Sequence, residues 1–315
     1  MERILAAALR AQAGVTATAL SGANWHQTGL FPAFLQAGQD VHGSHGLFYW
    51  LRARQRGLVI TQGPAVLVLT WRPDIRRLVA LRPAGDASTA ADLLDTVAKV
   101  ISAALPGAGL VARYCGAGLT GLLLARGWRA FDGTWCPDAP LDDEAFPEVI
   151  ITADPDPVPQ GRQCKSLREA ITWHQGACSF TASPQSLGGE TQISGHTLAP
   201  PGGAPGASFE AAVVSALRSG PVSGLTYHYL HHGTQLAGWS VAGNTTGVSH
   251  GYYLQTARVP RLATYFLWQI YLHERRQGAT ALNLGGSETQ SLFRYKTRTF
   301  PHHMLQESAI LCPPL

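Results

Sequence analysis

The sequence predicts an α/β (α+β) protein of two tandem domains, each a mostly antiparallel sheet flanked by helices. Three observations predict it. The chain has 315 residues, enough for two domains with a substantial core in each. A stiff, proline-rich stretch, Asp154-Pro155-Asp156-Pro157-Val158-Pro159-Gln160-Gly161, divides it near the middle. On either side of that stretch one order of elements recurs: a meander of short strands, a helix, a strand and a further helix. The halves are expected to span residues 1–155 and 156–315.

In the first half, Ile4 to Gln12 reads as an amphipathic helix, because Arg10 interrupts an apolar stretch that otherwise resembles a signal core. Loops follow through Gly46. Trp25, His26, His42 and His45 draw attention there, but only Asp40 accompanies them, and a solvated loop histidine is the ordinary case. Leu47 to Leu51, Leu58 to Ile60, Ala65 to Leu69 and Arg77 to Leu81 are apolar runs separated by turn residues, which predicts an antiparallel meander. Ser88 is expected to cap a helix whose apolar positions are Leu93, Leu94, Val97, Val100 and Ile101. A strand at Leu110 to Tyr114, a helix at Leu119 to Arg126 and a run beginning at Trp128 complete this half.

Lys165 to Cys178 is expected to open the second half as a helix. Residues 183–208 are too poor in apolar residues for a core element and read as a linker or an active-site lid. Phe209 to Arg218 reads as helical. Leu225 to Leu230, Gln235 to Ala242 and Val248 to Thr256 then repeat the meander, with turns at His232-Gly233 and Gly243-Asn244. The helix Arg261 to Arg276 carries Leu262, Phe266 and Ile270 at four-residue spacing, so one face must pack on a sheet, and Gly278 ends it.

Composition excludes several classes. With 45% hydrophobic and 14% charged residues the chain is globular, without the charge excess of a disordered one. A net charge of +4 suits a phosphate-rich partner but falls far short of a lysine-dense nucleic-acid-binding surface. The five cysteines are odd in number and lack zinc spacing, so they read as reduced thiols. No apolar run is long enough to span a bilayer, which predicts a cytoplasmic protein without integral membrane contact. There is no Ser-His-Asp order, Walker loop, His-Glu-x-x-His or paired-carboxylate motif, so hydrolase, NTPase and metalloprotease chemistry has no support. His231-His232 and His302-His303 lack partners at metal spacing, and no metal is expected.

The sequence says most about chemistry near its end. Ala279 to Leu284 fits a buried strand, and Gly285-Gly286 lets the backbone turn sharply. Ser287 with Gln290 reads as a capping box for a helix from Glu288 to about Arg298, placing Leu292, Phe293 and Lys296 on one face. The bland reading of Lys296 and Arg298 is that they complement the negative end of the helix.

A strand, a Leu284-Gly285-Gly286-Ser287 turn and a short helix holding Tyr295-Lys296 with a Phe300-Pro301 exit resembles the end of the Fem family. These are aminoacyl-tRNA-dependent peptidyltransferases built from two GNAT-like halves. The resemblance covers mainly Leu225 to Leu311 and is to the compact members, since no long helical arm is inserted. Tyr295-Lys296 falls where the family has Phe-Lys, so tyrosine replaces phenylalanine.

The resemblance implies an aminoacyltransferase that moves an amino acid from aminoacyl-tRNA to an amine acceptor, a cell-wall precursor peptide or a small natural product, forming an amide. The donor ester is already activated, so no cofactor, ATP or metal is needed. Lys296, with Tyr295 beside it, would be the cationic donor for the tetrahedral oxyanion. Arg258, Arg261, Arg294 and Arg298 would meet tRNA phosphates. Tyr252 and Tyr253 would stack on an adenine or the acceptor, the Ser287 hydroxyl would act locally, and Trp25 and Tyr49 would supply acceptor contacts from the first half.

Two other classes stay open. Acyl-coenzyme A-dependent GNAT enzymes cradle pyrophosphate on Gln/Arg-x-x-Gly-x-Gly/Ala at a helix N-terminus. In the second half, Arg258-Val259-Pro260-Arg261-Leu262-Ala263 replaces the central glycine and removes an amide donor. In the first half, Arg82-Pro83-Ala84-Gly85-Asp86-Ala87 fits the pattern, although Asp86 would repel the anion. An N-acyltransferase using acetyl-CoA at that loop, or a non-catalytic GNAT-like binding protein, are the alternatives.

Overall fold

The computed structural model describes residues 1–21, 47, 49–50, 57–72, 77–131, 146–152, 159–184, 224–244, 247–287, 289–305 and 311–313. In chain order its elements are α1 (Glu2–Arg10), β1 (Val15–Leu20), β2 (Gly57–Gln62), β3 (Ala65–Arg72), β4 (Arg77–Ala84), α2 (Ala87–Ala104), β5 (Gly109–Arg113), α3 (Ala117–Ala125), β6 (Arg129–Ala130) and β7 (Glu148–Ile151). Then follow α4 (Lys165–His174), β8 (Cys178–Ser183), β9 (Leu225–His232), β10 (Gln235–Asn244), β11 (Val248–Thr256), α5 (Leu262–Arg276), β12 (Ala281–Asn283), α6 (Gln290–Thr299), β13 (His302–Leu305) and β14 (Leu311–Cys312).

These elements form two compact units. The first is built on a sheet of order β1-β2-β3-β4-β5-β14-β6, antiparallel except where β4 and β5 run parallel. The meander β2-β3-β4 leads into α2, and α2 returns the chain to β5. Leu58, Ile60, Leu67, Leu69 and Ala80 of this sheet pack against Leu93, Leu94, Val97 and Ile101 of α2. Each of these buried leucine, isoleucine and valine side chains contributes about 1.5–3 kcal/mol of burial free energy. Arg126, just after α3, bonds Asp92 at 2.7 Å and Asp95 at 2.8 Å, and the Trp128 indole donates to Asp95 at 2.9 Å, which ties this segment to α2.

The second unit repeats the pattern. Its sheet has the order β13-β7-β12-β11-β10-β9-β8, antiparallel except for the parallel pair β11 and β12. The meander β9-β10-β11 leads into α5 and back to β12. Phe266, Ile270 and Tyr271 of α5 pack on Leu230, Ala237, Ile151 and Leu282, and Leu167, Ala170 and Ile171 of α4 join the same core. Gly238 sits close under α5: a Cβ there would stand 3.0 Å from the Phe266 ring, which would have to give by a few tenths of an ångström.

The architecture agrees with the expected fold class, but several elements differ from the sequence reading. The expected division at residues 155 and 156 falls beyond β7, which belongs to the second sheet, whereas β14 at the end of the chain joins the first. Neither assignment is visible locally, because both depend on pairing between distant segments. Leu47, Tyr49 and Trp50 are helical rather than extended, since a short run that is apolar throughout has no period to separate the two states. Strands β1 and β8 are additional elements, and α4 ends at His174, four residues short of Cys178. The cap of α2 is Asp86 and not Ser88. Trp25, the rest of the 183–208 segment beyond Ser183 and Pro184, and the helix expected at Phe209 to Arg218 lie outside the described residues.

Candidate active site

In the second unit β11 runs alongside β10 but pairs with β12 only through Val248, Ser249 and His250. The pairing ends at His250 and Asn283, where β12 itself ends. Just beyond, β11 carries a bulge: Val241 pairs with Tyr253 and Ala242 with Gly251, so Tyr252 is an extra residue. The loop leaving β12 starts at this point.

That loop, Leu284 to Ser287, is held from several directions. Asn283 is fully buried; its Nδ2 donates to Glu148 Oε2 at 2.8 Å and its Oδ1 accepts from the Gly285 amide at 2.7 Å. The Leu284 amide donates to the Val149 carbonyl at 2.8 Å, and Gly285 carries the left-handed φ of 67° that the turn needs. Lys296 reaches in from α6, only 8% exposed, and its Nζ donates to the carbonyl oxygens of Leu284 at 2.8 Å and Gly285 at 3.2 Å and to that of Gly286. Three ammonium protons thus meet three successive carbonyls. Lysine suits this convergence because its head is a compact charge with three rotatable donors.

Ser287 does not cap the helix. Its backbone bridges Phe146 in extended form, its hydroxyl is buried without a hydrogen-bond partner among the described residues, and α6 is capped by Thr289, whose side chain accepts from the Leu292 amide at 3.2 Å. The Gly-Gly turn carries the chain past Ser287 before the helix begins, so the cap shifts by two residues.

Tyr295 links α6 to α5, its hydroxyl 3.0 Å from that of Thr264. Burial pushes the phenol pKa up, and the bond to Thr264 opposes this. Thr264 lies in the first turn of α5, whose N-cap, Arg261, sits in the left-handed region at φ 64° and supplies no side-chain cap. The Leu262 amide donates to the Val259 carbonyl at 3.2 Å, and no carboxylate or hydroxyl of the N-cap residue occupies this helix N-terminus. Arg261 itself is ion-paired to Glu169 and lies over the Trp173 ring at 4.9 Å, while the His174 imidazole donates to the Pro260 carbonyl at 2.9 Å. Arg258, Arg294 and Arg298 are exposed and make no ion pair among the described residues. Tyr252 is half-buried with its ring against Gly243, and the half-buried Tyr253 packs against Trp239 in a tilted arrangement, 4.7 Å between centroids.

The corresponding helix N-terminus in the first unit is closed. Asp86 caps α2, accepting from the amides of Ser88 at 3.1 Å and Thr89 at 3.0 Å and from the Thr89 hydroxyl at 2.7 Å. The Thr89 amide and hydroxyl hold the Asp86 carboxyl below the usual carboxylate range. The Ser88 and Thr89 amides, at the helix start that follows the Arg82 to Ala87 loop, are thus taken by the chain's own carboxylate.

Of the residues singled out from the sequence, Lys296, Tyr295, Ser287, Tyr252, Tyr253, Arg258, Arg261, Arg294 and Arg298 all belong to this second unit. Tyr49 is fully buried in the first unit. Sequence reading missed Asn283, Thr264 and Glu148. Asn283, directly before the glycine pair, carried a signal as a turn-forming amide. Glu148 carried none, being 135 residues away in the chain.

No protein-family model matches the chain, and no curated protein matches it in sequence. Solved structures do resemble it. The C-terminal domain (DUF2156) of a candidate lysylphosphatidylglycerol synthetase from Agrobacterium fabrum superposes with a TM-score of 0.58 at 13% identity, over 93% of this chain and 92% of that one. L-PGS from Bacillus licheniformis gives 0.57 at 14% identity over 91% of each chain. FemX gives 0.56 at 11% identity over 95% of this chain and 97% of that one. At these identities the likeness is one of fold alone, a tandem GNAT-like architecture.

Proposed function

We propose that this protein is an aminoacyltransferase that takes an amino acid from aminoacyl-tRNA and passes it to an amine acceptor, a cell-wall precursor peptide or a small natural product. One observation carries the reading: the two units differ at the same helix terminus. Asp86 occupies it in the first, whereas in the second the N-cap residue of α5 puts no side-chain acceptor there, and Arg258, Arg294 and Arg298 are exposed. A phosphate-bearing donor is favoured in the second unit and opposed in the first.

The chemistry follows from placing ester and amine together. The amine attacks the ester carbonyl, the tetrahedral oxyanion gains from a nearby donor, and the tRNA hydroxyl leaves with a proton. Proximity supplies several kcal/mol of barrier reduction and one oxyanion donor about 10²–10³ in rate. Lys296 contributes in two ways: it fixes the loop, and its positive charge lies behind that loop's carbonyls. For its Nζ to reach the oxyanion, one of the three carbonyl bonds must be exchanged.

The second reading concerns the acceptor. The name of the Agrobacterium fabrum protein places an aminoacyl group on a lipid, which makes a lipid hydroxyl the competing acceptor class. The test is transfer of radiolabel from a pool of charged tRNAs in the presence of precursor-peptide, small-amine and phosphatidylglycerol fractions, followed by organic extraction. Label in an aqueous amide supports the proposal; label in the organic phase moves the acceptor to a lipid. Absence of transfer from every charged tRNA, with acetyl-coenzyme A bound instead, overturns it.

A further inference from the structure

A second cluster of polar side chains lies in the second unit, on the sheet face that α5 covers. His228 of β9 is fully buried, and Glu274 of α5 is 3% exposed. The His228 Nε2 donates to Glu274 Oε1 at 2.8 Å. His273, the neighbour of Glu274 on α5, presents its ring edge-on to His228, 5.5 Å between centroids, and Phe180 of β8 packs against both imidazoles. One ligand atom from each of His228, His273 and Glu274 can be chosen so that all lie within 4.8 Å of one another. The other ring nitrogen of His228, Nδ1, is buried without a hydrogen-bond partner among the described residues.

A buried histidine–carboxylate pair has to justify its desolvation, and a second imidazole at its side gains nothing for a simple ion pair. The same three groups form a donor set of two nitrogens and one oxygen. Borderline metals prefer that set, and hard cations such as magnesium and calcium, which take oxygen cages, do not. We propose that His228, His273 and Glu274 bind one divalent transition-metal ion of the zinc, cobalt or nickel class, with water completing the coordination.

Metal–ligand distances of about 2.0–2.2 Å require donor atoms to stand roughly 3.3 Å apart. In the proposed site the half-buried His273 turns inward, and the His228–Glu274 contact opens slightly as the metal takes the place of the Nε2 proton, leaving His228 neutral with its proton on Nδ1. The environment supports this state. Burial first, and then the proximity of His228, lowers the His273 pKa and leaves its lone pair free. Burial alone would raise the Glu274 pKa, but the bond from His228 and the nearby Ser249 hydroxyl outweigh it and keep the carboxylate ionised. The site lies about 18 Å along α5 from Arg261, so the ion acts as a clip between β9 and α5 and takes no part in the transfer.

The experiment is titration of the full chain, stripped by chelator and dialysis, with cobalt(II) alone. One equivalent should bind, give the visible absorption of a low-coordinate cobalt centre and be displaced by zinc. His273→Gln, at the accessible ligand, should weaken cobalt binding at least tenfold and abolish that spectrum while circular dichroism stays unchanged. Glu274→Gln should do the same, and His303→Gln, on exposed β13, should leave it intact. The proposal is overturned if the wild-type chain shows no stoichiometric cobalt spectrum, or if His273→Gln binds cobalt as the wild type does. Should Glu274→Gln fail to fold, His273→Gln decides.

Discussion

The hydroxyl of Tyr295 stands 3.0 Å from that of Thr264, joining the helix that carries Lys296 to the first turn of α5. The residue expected to take part in catalysis beside Lys296 is thereby a link between α6 and α5. Tyr295→Phe should remove one hydrogen bond, cost about 1 kcal/mol of stability and slow transfer only modestly. A double-mutant cycle with Thr264→Val, read by urea midpoints, should return a coupling of about 0.5–1.5 kcal/mol, because each single change already breaks the contact.

Lys296→Met should be far more damaging. It strips the ammonium from three buried carbonyls, each of which then bears part of an unsatisfied-group penalty of roughly 1–3 kcal/mol. Transfer activity should be lost and the urea midpoint should fall. Lys296→Arg should not restore either, since a planar guanidinium cannot match three carbonyls converging on one point. Full activity in Lys296→Arg would show that only charge matters at this position.

Arg258→Gln, Arg294→Gln and Arg298→Gln should leave the melting temperature within a degree or two, because none of these side chains makes an ion pair among the described residues. Each that contacts a donor phosphate should weaken tRNA binding and reduce the salt slope of log K by roughly 0.7–0.9. Arg261→Gln should behave differently, losing stability as well, because Arg261 is tied to Glu169 and Trp173.

Asp86→Ala should lower the stability of the first unit by uncapping α2 while leaving the transfer rate unchanged. Its acid behaviour carries a sign. The folded carboxyl is held below the ordinary value of 3.8, so its contribution is present above that pH and is lost as pH falls through the folded value. Acid unfolding curves of the wild type and Asp86→Ala should converge at low pH.

Alkali should weaken the second unit through Tyr227. Burial, and then Tyr229, pushes its phenol up to about 12 from 10.0. A folded pKa above the unfolded one means stability that is intact below pH 10 and declines as pH rises toward 12. Tyr227→Phe should flatten that alkaline limb in thermal melts, and ultraviolet phenolate absorbance should show one tyrosine fewer titrating with loss of the fold in the variant than in the wild type.

The long periodic elements were readable from local pattern. The apolar positions of α2 and α5 recur at helical spacing, and the turns at Gly63-Pro64 and His232-Gly233 punctuate their strands, because these signals lie within a few residues of one another. Short segments were not readable in the same way. Leu47 to Leu51 is apolar at every position and carries no period, and the cap of α6 moved from Ser287 to Thr289 because the glycine pair left the exit path of the chain undetermined.

The sequence by itself determined the fold class, the repeat of meander, helix and strand, and the segment from Leu282 to Phe300 that bears Lys296. The tertiary structure alone decided what those residues do. Glu148 reaches Asn283 across 135 residues, Lys296 spends its donors on three loop carbonyls, and His228 meets Glu274 from another element. It also decided that Asp86 caps one helix terminus while the N-cap residue of α5 makes no side-chain cap bond. Such roles depend on desolvation and on the convergence of donors with acceptors from distant strands, and local spacing along a chain does not encode them.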